Sequence, residues 1–124
     1  MVFMSFMDIN AWKESRSLVR EIYLMCNQGD CKNDFGFRSQ IQRAAVSIMS
    51  NIAEGFGADT DKGFAAFLSY AFRSALEVES QLYVAIDIGY INQDKGDKLI
   101  CQVKSIQKML RGLIAYLKSS DTQK

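Results

Sequence analysis

The sequence predicts an all-α protein, an antiparallel up-down-up-down four-helix bundle, on three observations. Apolar residues recur at helical spacing in four segments, the period-two alternation of strands is absent, and no proline interrupts any segment. Short connections then force successive helices to run antiparallel. The chain's 124 residues suit a single domain, 1–124, long enough to bury its own core.

The first helix is expected at about residues 10–27. Leu18, Ile22 and Met25 form one stripe, with Trp12, Val19, Tyr23 and Cys26 beside it, and Asp8 or Asn10 can cap its start. Gln28 to Gly36 reads as a loop, with two glycines and the turn-forming pair Asn33-Asp34. The second helix, about 37–56, carries Ile41, Ala45, Ile48 and Ile52 on one stripe, flanked by Ala44 and Phe56. Gly55 and Gly57 bracket its end, as glycines do at helix C-termini. The third, about 61–88, is the most regular. Asp59, Thr60 or Asp61 can cap it, and Phe64, Leu68, Ala71, Ala75, Val78, Leu82 and Ala85 follow in alternating steps of four and three. Gly89 ends it and Asn92 can cap the fourth helix, about 93–119. There Leu99, Val103, Ile106, Leu110, Leu113 and Leu117 keep the same rhythm. Asp94 and Asp97 near its start and Lys118 near its end suit the helix dipole. A polar tail runs from Ser119 to Lys124.

Alanines on the seams, among them Ala44, Ala45, Ala53, Ala65, Ala71, Ala75 and Ala85, let helix axes approach closely. The third helix also has a second apolar flank in Phe67, Phe72, Leu76, Tyr83 and Ile86. So wide an apolar arc exceeds what a lone four-helix bundle covers, and a homo-oligomer is the expected remedy.

Composition removes several function classes. Fifteen basic against fourteen acidic residues leave a net charge of +1, so no chain-wide attraction for nucleic acid or acidic membrane is expected. The absence of histidine removes the commonest general base and metal ligand together. Cys26, Cys31 and Cys101 are odd in number and lack Cys-x-x-Cys spacing, which argues for reduced thiols and against a zinc site. The apolar run Met1 to Met7 has no preceding basic residue and is too short for a signal peptide. The longest uncharged runs, such as Phe64 to Phe72, reach half the length of a membrane span. A soluble, cytoplasmic protein without metal or cofactor is expected.

Catalytic motifs are missing as well. Glu77 and Glu79 lie two apart on a helix and point in nearly opposite directions, so they cannot pair within one chain. Gly55-Phe56-Gly57 lacks the downstream spacing and lysine of a phosphate loop. No catalytic residue and no small-molecule substrate are expected. Two polar stripes remain: Arg43, Ser47, Asn51 and Glu54 on the second helix, and Tyr70, Ser74, Glu77 and Gln81 on the third. They read as a hydrogen-bonded seam between helices or subunits, with a polar binding surface as the alternative. On the fourth helix Lys104, Lys108, Arg111 and Lys118 share one face, with no acid between Asp97 and Asp121, while Lys98 lies off it. Such a stripe is a solvated face or a contact for an RNA or DNA backbone. Repetition of the stripe in a ring would multiply its field.

The run Ser39-Gln40-Ile41-Gln42-Arg43-Ala44-Ala45-Val46-Ser47-Ile48, then Ser50-Asn51-Ile52-Ala53-Glu54-Gly55-Phe56-Gly57, resembles the bacterial 23S rRNA intervening-sequence proteins. Further matches are Trp12, Leu18 to Tyr23, Phe67-Leu68, Ala71, Ser74, Glu77, Glu79, Gln81-Leu82 and the Gly89-Tyr90-Ile91 turn. The resemblance implies a four-helix bundle closed into a homo-oligomer, a pentamer, without catalytic activity. The chain is similar also to the accessory protein of diversity-generating retroelements, which implies nucleic-acid binding through basic surfaces. It departs from the family pattern at Met49, in place of the usual proline, and at Phe72-Arg73, a pair that usually ends in glycine. The first departure implies a straighter second helix, the second more bulk at a close contact.

Overall fold

The computed structural model describes residues 3–122. Its long elements are α1 (Asn10–Cys26), α2 (Phe35–Phe56), α3 (Asp61–Asp87) and α4 (Gln93–Thr122), with short 3-10 turns at Phe6–Asp8 and Gly29–Asn33. Among the described residues the backbone of each helix closely approaches two neighbours, in the cyclic order α1, α2, α3, α4, and not the helix diagonal to it, which is a square bundle. Side-chain pairings fix its sense. Ser47 of α2 meets Ser74 of α3, while Gly55 further along α2 meets Phe64 and Phe67, earlier on α3. Across α3 and α4, Phe72 meets Arg111, Glu79 meets Gln107, and Ile86 meets Gly96. In both cases one number rises as the other falls, so the neighbours are antiparallel.

The periodic stripes form the core. Leu18, Ile22, Ile41, Ile48, Ile52, Leu68, Val78, Leu82, Val103, Ile106 and Leu110 are fully buried, and each such aliphatic side chain stabilises the fold by about 1.5–3 kcal/mol. Ala45, Ala71, Ala75 and Ala85, also fully buried, keep the axes close. Ser15, the one buried polar residue among the described residues, donates its hydroxyl to the Ala11 carbonyl at 2.6 Å, so that group carries no unmet demand.

Several boundaries differ from the sequence expectation. Neither Asp8 nor Asn10 caps α1: Ile9 holds that position, and the Asp8 carboxylate instead accepts from the Met4 and Ser5 backbone N–H groups of the preceding turn. That turn folds the N-terminal run onto the bundle, with Phe6 edge-on to Trp12 at 5.1 Å between centroids. The helix α2 starts at Phe35 rather than 37, because the Asp34 side chain accepts from Phe37 N–H at 3.1 Å and draws Phe35 and Gly36 into the first turn. Thr60 and Asn92 cap α3 and α4 through Gly63 N–H and Lys95 N–H. Gly89 closes the α3 end with φ +82, a conformation that side chains rarely adopt. The fourth helix continues through Thr122, so Ser119 lies in helix rather than in a tail and Lys118 is no longer in its last turn; Gln123 and Lys124 are outside the described residues. Tyr23, expected beside the buried stripe of α1, is 41% exposed.

Gly55 and Gly57 flank Phe56, the last residue of α2, as expected, and Gly55 has a second part. A Cβ there would sit 2.9 Å from both Phe67 Cβ and Phe64 Cδ1, so this glycine also permits close approach of α3. The helix α2 runs unbroken through Met49. Phe72 is half-buried against α4 and Arg73 is exposed, so this pair adds its bulk at the groove between α3 and α4 rather than at a tight helix contact.

One clip joins distant turns. The Tyr90 hydroxyl donates to Asp34 Oδ2 at 2.6 Å, and the Tyr90 ring packs edge-on against Phe37. The hydrogen bond from Tyr90, together with that from Phe37 N–H, holds the Asp34 carboxyl below its usual range, and the same bond pushes the Tyr90 phenol up to about 12. The folded state thus prefers ionised Asp34 and neutral Tyr90. The clip's contribution is present above about pH 4 and below about pH 10. It is lost as pH falls through the depressed Asp34 pKa or rises through about 12. Tyr90→Phe keeps the ring contact and removes the bond. It should lower the melting temperature by several degrees at pH 7 but by much less near pH 2, a difference read from paired melting curves. An equal loss at both pH values would contradict the coupling.

Candidate nucleic-acid interface

The basic stripe lies along one continuous helix, so its periodicity in sequence becomes a line in space. Lys104 to Lys118 spans about 21 Å at the α-helical rise, and all four cations are exposed. They differ in surroundings. Lys104 Nζ is 3.9 Å from Glu79 Oε2 of α3, and Glu79 is steadied by Gln107, whose Nε2 donates to its Oε1 at 2.8 Å. The acid missing from α4 is supplied by its neighbour. Lys104 is 57% exposed in this pair, which therefore adds little stability but reduces the positive field at that end of the stripe. Lys108 has no acid partner among the described residues.

Toward the other end the stripe widens onto α3. A groove of about 460 Å³ between the two helices is lined by Phe72, Arg73, Arg111, Ile114, Ala115 and Lys118. The Arg111 guanidinium lies 4.5 Å over the Phe72 ring, and that of Arg73 lies 5.9 Å from the centroid of Tyr70. Ser69 also lines the groove, with its hydroxyl proton directed to the Ala65 carbonyl. Sequence reading missed Arg73 as part of this face. A single helix's periodicity does not tell which residue of a neighbouring helix lies alongside, and only the α3–α4 register supplies that.

The second group of candidates, on α2 and α3, divides in two. Ser47 Oγ and Ser74 Oγ are 2.9 Å apart across the helices, and Asn51 Nδ2 donates to the Ser47 carbonyl and hydroxyl at 2.9 and 3.0 Å. Gly55 sits on the same seam, against Phe64 and Phe67. Arg43, Glu54 and Glu77 are exposed and form no ion pair with any described residue. Near them the Gln81 Oε1 atom is buried without a hydrogen-bond partner, and Tyr70, Val84 and Ile88 expose about half of their surface.

Two of the three thiols are placed for inertness. Cys26 and Cys31 are fully buried near each other, and burial above all pushes the Cys26 thiol up to about 12 and raises Cys31 too. Cys101 is exposed. Among the described residues no three of His, Cys, Asp and Glu gather closely enough to hold a metal ion, and no helix is long and apolar enough to cross a membrane.

The chain is thus an all-α bundle that presents a cationic helix face along α4 and a polar seam between α2 and α3. The chain belongs to the 23S rRNA-intervening sequence protein family, whose model matches residues 7–112. It is similar to a solved structure from Bacteroides thetaiotaomicron VPI-5482, a protein of unknown function from the S23 ribosomal protein family. The two share 25% identity with a TM-score of 0.76, over 84% of this chain and 97% of that one. No curated protein matches the chain at a significant level.

Proposed function

We propose that this chain is a non-enzymatic, homo-oligomeric helical bundle that binds RNA, free or within a ribonucleoprotein, through the basic face of α4. The observation that carries the reading is the alignment of Lys108, Arg111 and Lys118 along one side of a rigid helix, with Arg73 of α3 added across the groove. Cations on a straight helix suit a regular line of phosphates. The match to the 23S rRNA-intervening sequence protein family, and a neighbour from the S23 ribosomal protein family, lean the same way.

Self-association is supported by the α3 surface. Leu76, Tyr83, Val84 and Ile88 are 45–53% exposed, and the nearby unpaired Arg43, Glu54 and Glu77 offer charges of both signs to a second copy. A closed ring, a pentamer as the family resemblance implies, covers this surface and repeats the basic stripe around its rim. A protein-partner scaffold without nucleic-acid affinity is the competing reading, favoured by the near-neutral net charge and the Lys104–Glu79 pair.

Fluorescence anisotropy with a short duplex RNA separates the two. Neutralisation of about three phosphates per protomer should weaken binding roughly fifty-fold between 50 and 200 mM salt. Affinity that is absent at 50 mM salt, or indifferent to salt, would sink the RNA reading and favour the scaffold.

A further inference from the structure

We propose that Arg73 and Arg111 form a two-armed clamp for one phosphate of a double-helical nucleic-acid backbone, with Phe72 as the shelf that positions Arg111. This rests on the nucleic-acid reading above and deepens it.

Arg73 and Arg111 line one groove, and neither meets a carboxylate within ion-pairing distance among the described residues. Nor does any carboxylate line that groove. Two cations brought together from different helices without a counter-charge retain a demand for an anion. Each is associated instead with an aromatic ring: Arg111 with Phe72, Arg73 with Tyr70. A guanidinium laid on a ring keeps in-plane N–H donors for an incoming acceptor and loses less freedom when it binds. A phosphate accepts two such donors side by side. Phe72, Ile114 and Ala115 supply an apolar floor, which strengthens the attraction by excluding water.

The same geometry selects the form of the nucleic acid. Single-strand binding draws on aromatic faces that stack with bases. Here the one ring that lines the groove, Phe72, already has the Arg111 guanidinium 4.5 Å over it. What remains is contact with the backbone of a duplex.

The test is an anisotropy titration of the full chain, at several salt concentrations, with duplex RNA, duplex DNA and single-stranded RNA of one length. Variants are Arg73→Gln, Arg111→Gln, the double variant and Phe72→Leu, with circular dichroism melts as fold controls. One shared phosphate predicts that each single Arg variant weakens duplex binding about as much as the double variant, on the order of ten-fold. The double variant should flatten the slope of log affinity against log salt by about one. Phe72→Leu keeps both charges, so it should weaken binding a few-fold with the slope unchanged. Binding of either duplex in this pattern supports the clamp. Additive single effects with a slope change of about two, Arg variants that bind like the wild type, or tighter binding of the single strand would each overturn it while the RNA reading stands. A wild-type chain without salt-dependent binding overturns both.

Discussion

Replacing Lys108 and Arg111 together with glutamate should abolish duplex RNA binding, a loss of at least about 100-fold at 100 mM salt. The two residues stand on the exposed face of α4 one helical turn apart, so the variant converts the middle of the cationic line into an acidic one. Each reversal removes two units of charge, which takes the formal net charge from +1 to −3. Adding Lys104→Glu takes it to −5, but that substitution also sets a carboxylate beside Glu79, now 3.9 Å from the Lys104 ammonium. The triple variant therefore mixes lost binding with lost α3–α4 packing. The double variant is the cleaner test, because the only described contact it breaks is that of Arg111 on Phe72, about 0.5–1 kcal/mol. Binding that survives in a variant with a normal melting curve would place the interface elsewhere.

The second large effect concerns the α2–α3 seam. Gly55→Ala should destabilise the bundle by about 1–3 kcal/mol, less up to about 1 kcal/mol regained from alanine's helix propensity. The added Cβ meets Phe67 Cβ at 2.9 Å and the Phe64 carbonyl oxygen at 3.3 Å, and these atoms move only with the backbone of α3. Gly55→Val should be worse, since a branched side chain cannot turn both methyls away from α3. Two other glycines calibrate the claim. At Gly96 the added Cβ would lie only 2.5 Å from Ile86 Cγ1 and Cδ1, nominally a harder clash. Ile86 is only partly buried and can change rotamer, so Gly96→Ala should cost less than Gly55→Ala. Gly112 is exposed in mid-helix with nothing within 4 Å. Gly112→Ala should stabilise by roughly 0.5–1 kcal/mol. Urea unfolding midpoints give the order directly. A Gly96 variant less stable than the Gly55 variant would show that distance alone, and not the mobility of the atom met, sets the cost.

These expectations show where the sequence was sufficient and where it was not. Steps of four and three on the third and fourth helices carry their own meaning, because burial of one face is a property of a single helix: Leu68 through Ala85 and Leu99 through Leu110 are buried as that rhythm demands. Caps at Thr60 and Asn92 were equally legible, since a cap is made within three residues. The start of α2 was obscured because Asp34 sits two residues ahead of a glycine that reads as loop. The place of Gly55 at the end of α2 was legible, but its close contact with α3 was not, because a glycine at a helix end and one at a close crossing look alike in one dimension. Arg73 and Glu79 were legible as charges but not as neighbours of Arg111 and Lys104. Whether α4's stripe is neutralised or extended depends on the side chains of α3 that lie beside it, which the α3–α4 register alone decides.

Multi-angle light scattering on the purified chain, with and without a short duplex RNA at 50 and 200 mM salt, reads assembly and RNA binding together. A closed oligomer of the 14.0 kDa chain is expected, about 70 kDa for five copies. It should gain mass with RNA at low salt and lose that gain at the higher concentration. A monomer, or an oligomer whose mass RNA leaves unchanged at 50 mM salt, would contradict that expectation.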